Sequence, residues 1–212
     1  MSARFAKHIS VWLLAIAASA IAYQPSANAA EPLVFEDQFA KRRAIDDLRG
    51  DVVVLIYSDR GGAEASRELG EKLHVMMHPT AKGKDPKVAM QAPVRPLANQ
   101  PPGAQTPDAK MIPLACIGDV PNYIRPFVRS RFRSVSPDAV VWLDLNDTMR
   151  SRYTLTPGVP NLIVFDTQGR ERHRLAGVPD DTQIARLGNY LDALRAEGIR
   201  SARARTQATT TR

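Results

Sequence analysis

The sequence predicts one α/β domain, a mixed central sheet with helices on both faces. Three observations predict it. Residues 52–57 form an apolar run with no polar face, as in a strand covered from two sides. From there strand-like and helix-like stretches alternate, the pattern of parallel strands joined by crossover helices. Near the C-terminus two strand-like runs are separated only by Thr167-Gln168-Gly169-Arg170, which adds an antiparallel hairpin.

The elements follow in order. Residues 1–29 read as a secretory leader. Arg4 and Lys7 supply its positive start, residues 11–22 its apolar core, and Ala27-Asn28-Ala29 the small residues of a cleavage site. The apolar core is too short for a comfortable membrane span. An uncleaved N-terminal anchor is the alternative. The expectation is an exported, periplasmic protein with no stable membrane anchor after cleavage.

Residues 39–48 suggest a short helix stopped by Gly50. After the strand at 52–57, Ala65, Leu69, Leu73 and Met76 recur at helical spacing. Residues 79–109 carry seven prolines and no apolar period, and read as a disordered insertion within the domain. Strand character resumes at 111–117. Residues 121–133 suggest a helix, with Pro126 tolerable only in its first turn. A strand at 140–143 ends at Asp144, and 149–155 suggests a short helix. Residues 161–166 and 171–176 form the hairpin. Asp180 and Gln183 offer a capping box, then Ile184, Leu187, Leu191 and Leu194 make a helical stripe that Gly198 closes. The domain is therefore expected over 30–198, with a disordered basic tail at 199–212.

The formal charge is +7, but six of the basic residues lie in the leader and the tail, and residues 30–198 carry +1. A near-neutral body argues against a nucleic-acid partner. The chain has one cysteine, Cys116. It therefore holds neither an internal disulfide nor a CxxC pair. No cofactor motif stands out: neither G-x-x-x-x-G-K-[ST] nor G-x-G-x-x-G occurs.

Three segments carry a resemblance to the thioredoxin-like superfamily, spanning roughly residues 33–196. They are Leu48-Arg49-Gly50-Asp51-Val52-Val53-Val54-Leu55, then Trp142-Leu143-Asp144 with Tyr153-Thr154-Leu155, then Gly158-Val159-Pro160-Asn161 running through Gly169-Arg170 to Gly177. In layout the chain resembles the exported branch with TlpA-type and peroxiredoxin-type domains. The resemblance implies a thioredoxin-like sheet and matches Pro160 to the family's cis-proline. That proline lies beside the active-site turn, and the backbone before it helps bind extended peptide. The family's reactive cysteine falls within positions 60–65, which here read Arg-Gly-Gly-Ala-Glu-Ala. The peroxiredoxin PxxxTxxC pattern is absent too.

The resemblance thus implies a redox-inactive protein that binds an unknown protein or peptide. Its candidate platform is Tyr57, Asp59, Arg60, Gly61, Gly62, Val159 and Pro160. The alternative is an atypical thiol peroxidase or reductase using Cys116, set against an inert strand cysteine. Arg60-Gly61-Gly62 at a helix start is read as a tight turn or as an anion cradle. His74 and His78, at i and i+4, are surface histidines or two metal ligands lacking a third. Arg125, Arg129 and Arg133 form a stripe that is either solvated or contacts an anionic partner. Ser58 and Ser66 lie near the turn without a histidine placed to activate them.

Overall fold

The computed structural model describes residues 32–98, 100 and 106–210. The expected leader lies outside them.

Strands β1 (Val34–Asp37) and β2 (Arg42–Ala44) open the domain as an antiparallel pair, followed by a 3₁₀ turn, Ile45–Leu48. The helix expected over 39–48 is corrected here. Asp37 is buried and accepts hydrogen bonds from the Phe39 and Lys41 N–H groups at 2.8 and 3.0 Å, and its other oxygen lies 2.7 Å from Arg43 Nη2. Burial pushes the Asp37 pKa up, but these bonds outweigh it and hold the carboxyl below its ordinary value. The turn they build places Ala40 at φ 63°, outside the helical region. Local turn chemistry thus overrides a helix-like composition.

Strand β3 (Val52–Ser58) is buried throughout and leads into α1 (Ala63–Met77). After a short helix α2 (Pro86–Ala89) comes β4 (Ala109–Cys116), then α3 (Arg125–Val135) and β5 (Trp142–Asp144). Helix α4 (Thr148–Arg152), the hairpin β6 (Asn161–Phe165) and β7 (Glu171–Ala176), and α5 (Asp181–Thr210) complete the chain. The strand order is β2-β1-β5-β4-β3-β6-β7. Strands β3, β4 and β5 run parallel, and β6 and β7 turn back antiparallel. The run β4-β3-β6-β7, with α1 inside the parallel crossover and α5 after the hairpin, is the thioredoxin-like arrangement. The fold is thioredoxin-like on that topology, extended at one edge by β5, β1 and β2.

Alternation along β3 sorts the core into two layers. Val52, Val54 and Ile56 meet Leu69, Leu73 and Met77 of α1 and Ile184, Leu187, Leu191 and Leu194 of α5. Val53, Leu55 and Tyr57 face the other way, onto Ile45, Met149 and Leu155. The capping box forms as expected: the Asp180 N–H donates to Gln183 Oε1 at 2.9 Å, and the Gln183 N–H donates to Asp180 Oδ1 at 2.7 Å.

Three further expectations change. The described part of the 79–109 insertion is docked on the body rather than disordered. Its Arg95 N–H donates to Met77 O at 2.7 Å, its guanidinium meets Asp192 at 2.6 Å, and Val94 packs on the core. Side-chain anchors hold it, and apolar periodicity does not register those. The tail is not separate either, since α5 runs on through Gly198 to Thr210. Gly198 is a packing glycine rather than a stop, because a Cβ there would lie 2.5 Å from Thr167 Cγ2. Lastly, the α3 arginine stripe bonds back onto the domain, although Arg133 stays exposed. Arg125 Nε donates to Val120 O at 2.9 Å, Arg129 pairs with Glu36 at 2.9 Å, and Arg133 Nη1 donates to Gln38 O at 2.8 Å. Among the described residues no helix is long and apolar enough to cross a membrane.

Candidate functional site

The family-matched site lies where β3 ends. Ser58 is buried, Asp59 is half-exposed, and Arg60 and Gly61 are exposed before α1 begins at Ala63. Facing this turn is the loop ahead of β6. Asp59 joins the two. Its Oδ1 accepts from the Gly62 N–H and from the Gly158 N–H, each at 3.1 Å. The Gly158 hydrogen bond is the largest influence on Asp59. With the Gly62 and Gly61 N–H groups and Arg150, it outweighs the opposing effect of burial and holds the carboxyl below its ordinary pKa. Asp59 is therefore an anionic staple between two loops 99 residues apart in sequence.

The glycines allow this closeness. A Cβ on Gly62 would lie 2.6 Å from Val159 O, and one on Gly61 would lie 3.1 Å from Gly158 Cα. The Asp59 carboxylate takes the Gly62 N–H, and Val159 leaves no room for a side chain at Gly62, so Arg60-Gly61-Gly62 makes a tight strand-to-helix turn.

Pro160 is buried, and its carbonyl accepts from the Gly177 N–H at 2.8 Å. The expected cis bond is corrected: no cis peptide occurs among the described residues, so Val159–Pro160 is trans. The chain reverses by other means. Gly158 takes φ 75°, a left-handed conformation that costs glycine little. Buried Asn161 then clamps the loop. Its Nδ2 donates to Thr156 O and Val159 O, both at 3.0 Å, and its Oδ1 accepts from the Thr156 N–H at 2.9 Å.

Tyr57 is 2% exposed, and its hydroxyl donates to Thr154 O at 3.1 Å. Burial pushes its pKa up to about 12. Tyr57, Gly62 and Pro160 are buried, so of the sequence-predicted platform only Asp59, Arg60, Gly61 and half-buried Val159 reach the surface.

Cys116 ends β4, half-buried. Burial pushes its thiol up to about 12, and Asp144, Asp147 and Asp59 add to the effect. At neutral pH it is a thiol rather than a thiolate, the reverse of what nucleophilic sulfur chemistry requires. The buried Ser66 Oγ has no hydrogen-bond partner among the described residues.

The histidines are occupied elsewhere. His78 is buried, with Nε2 2.8 Å from Asp108 Oδ1 and Nδ1 3.2 Å from His74 O. His74 stacks on it at 4.4 Å between ring centroids, and its Nε2 lies 3.0 Å from Ala89 O. They hold the foot of the insertion against α1. No group of three metal-ligating side chains occurs among the described residues.

No family model matches the chain, and no curated protein matches it in sequence. Solved structures do share its layout. An exposed lipoprotein thioredoxin of Streptococcus pneumoniae is 10% identical over 75% of this chain and 98% of its own, with a TM-score of 0.47. A putative thiol-disulfide oxidoreductase of Bacteroides vulgatus is 16% identical over 83% and 94%, also at 0.47. A secreted thiol-disulfide isomerase of Corynebacterium glutamicum is 13% identical over 76% and 84%, at 0.46. The fold assignment stands on strand order and direction, not on these likenesses.

The charges on the rim beside the turn are mostly paired. Arg150 pairs with Asp147 at 3.3 Å, and Arg174 pairs with Glu171 while lying 4.8 Å over the Tyr153 ring. Arg60 has no ion-pair partner among the described residues. Sequence reasoning missed Asn161. Its one signal is a polar side chain opening an otherwise apolar strand, at a position the fold buries.

Proposed function

We propose that this protein is exported to the periplasm and acts without thiol chemistry, binding a protein or peptide at the surface formed by Asp59–Gly61 and Gly158–Val159. The observation that carries this reading is the Asp59 staple. Just before the positions where a thioredoxin-like site would hold a reactive sulfur, a carboxylate fixes both loops. The sole cysteine nearby is held protonated. The exposed backbone of Gly61 and Gly158 and the unpaired Arg60 supply hydrogen-bond and charge contacts to a partner. The periplasmic assignment rests on the leader composition of residues 1–29.

Two measurements test it. Alkylation of Cys116 at pH 8 should run about a thousand-fold slower than that of a free thiol and rise about tenfold per pH unit, because so little thiolate is present. The wild type and Cys116→Ser should be equally inactive in disulfide reduction and peroxide consumption. Cysteine-dependent turnover would overturn the reading in favour of the Cys116 enzyme. A photo-cross-linker at position 60 should capture a discrete periplasmic partner, and one at exposed position 82 should not. Equal capture from both positions would dismiss the platform.

A further inference from the structure

Strands β1 and β5 carry one sheet face under α3. Alternation puts Val34 on the same side as Glu36, and the register sets Arg42 and Leu143 beside Glu36. Leu143 and Leu145 pack on Val128 and Phe132 of α3, and Glu36 pairs with Arg129 at 2.9 Å. Alongside these contacts lies a cavity of about 250 Å³. Val34, Leu143 and Leu145 give it an apolar lining, and Glu36, Arg42 and Arg125 bring charge to it.

Those charges do not cancel. Glu36 is answered by Arg129, whose Nη1 donates to both of its oxygens at 2.9 and 3.0 Å. Arg42 has Asp47 at 3.3 Å, an exposed pair that water screens. Arg125 bonds only neutral oxygens, Val120 O at 2.9 Å, Leu145 O at 3.2 Å and Asn146 Oδ1 at 2.6 Å. It is half-buried, and no carboxylate pairs with it among the described residues. A guanidinium keeps its charge in such a place, and apolar neighbours strengthen its pull on an anion. The complement is one negative charge on a short apolar body. At the ~30 Å³ that a water occupies, the cavity takes about eight non-hydrogen atoms. We infer that this cavity binds a small monocarboxylate with a short alkyl tail, its carboxylate on Arg125 and its tail against Val34, Leu143 and Leu145. The site shares no residue with the Asp59–Val159 surface, so it stands or falls apart from the partner reading.

Hexanoate matches that size and charge and is the probe. Titrated into the isotope-labelled full chain at neutral pH, it should shift the amide signals of residues 34–36 and 143–146, with a dissociation constant of about 0.1–1 mM. Acetate lacks the tail and 1-hexanol lacks the charge, so each should bind about tenfold more weakly or worse. Hexylammonium carries the wrong charge and should not bind. Arg125→Gln removes the charge and keeps a polar side chain, and should weaken hexanoate about tenfold. Should that variant fail to fold, Arg42→Glu lies at an exposed position and sets a like charge at the cavity. It should weaken hexanoate about threefold or more with thermal unfolding unchanged. N-acetyl-leucinate stands in for a peptide C-terminus and overfills the cavity. Tighter binding of it than of hexanoate would replace the free acid with a chain end and overturn the inference. No shift up to about 10 mM hexanoate, shifts confined to other parts of the chain, 1-hexanol binding as tightly as hexanoate, or binding indifferent to both substitutions would each overturn it as well.

Discussion

Replacing Arg195 with Ala should lower the unfolding free energy by about 3–5 kcal/mol, the range for breaking a buried, hydrogen-bonded charge pair. Arg195 is 0% exposed, yet every arm of its guanidinium is used. Nε donates to Pro107 O at 2.7 Å, Nη2 to Arg95 O at 2.9 Å, and Nη1 to Asp192 Oδ1 at 2.8 Å. Burial pushes its pKa down and Asp192 opposes that shift, while a guanidinium stays charged at any working pH. Removal leaves two carbonyls of the insertion, one mid-way along it and one near its end, without these donors. Asp192 keeps its contact with Arg95 at 2.6 Å, so the loss is centred on Pro107 and Arg95 O. Urea denaturation reads the energy, and hydrogen exchange at residues 106–109 reads the place. Arg195→Met should recover little, because it restores volume without donors. A cost below about 1 kcal/mol would mean the insertion is held chiefly by Val94 and the His78–Asp108 contact.

That residue also shows what a sequence reveals. The stripe Ile184, Leu187, Leu191, Leu194 marks a buried helix face, and Arg195 continues it, four residues after Leu191. A charged residue on an apolar stripe signals a buried polar anchor, but nothing local says its partners are Pro107 and Arg95. The strand β3, the helix α1 and the strand β6 were legible because burial imposes their pattern, and β7 because the Thr167–Arg170 turn marks a hairpin. The β1–β2 pair was not, since strands of four and three residues carry little periodicity and the Asp37 turn sets their path. The α3 arginines showed a common face by spacing, yet spacing cannot say which way a face points. At the site, the resemblance located the turn. The staple itself escaped because Asp59 and Gly158 meet only in the folded chain.

The second large effect lies at that staple. Gly62→Ala should destabilise the protein by about 3 kcal/mol, toward the upper end for overpacking. Gly62 has φ −92° and ψ 0°, a type I turn conformation that alanine can take, so the main cost is steric. Its Cβ would meet Val159 O at 2.6 Å, Val159 C at 2.7 Å and Val159 N at 2.9 Å. All three are backbone atoms, which have no rotamer to yield. Gly188→Ala makes the comparison. There a Cβ would meet Met76 Sδ at 2.7 Å and Cε at 2.8 Å, the end of a flexible side chain. Alanine also gains about 1 kcal/mol of helix propensity there, so this variant should stay within about 1 kcal/mol of the wild type. The two variants add the same methyl group and differ in what it strikes. Moving Val159 away from Gly62 also pulls Gly158 from Asp59, so Gly62→Ala should lose cross-linking from position 60 along with stability, while Gly188→Ala keeps both. If Gly62→Ala kept full cross-linking at reduced stability, partner binding would not depend on the two loops being held together, and the staple would be structural alone.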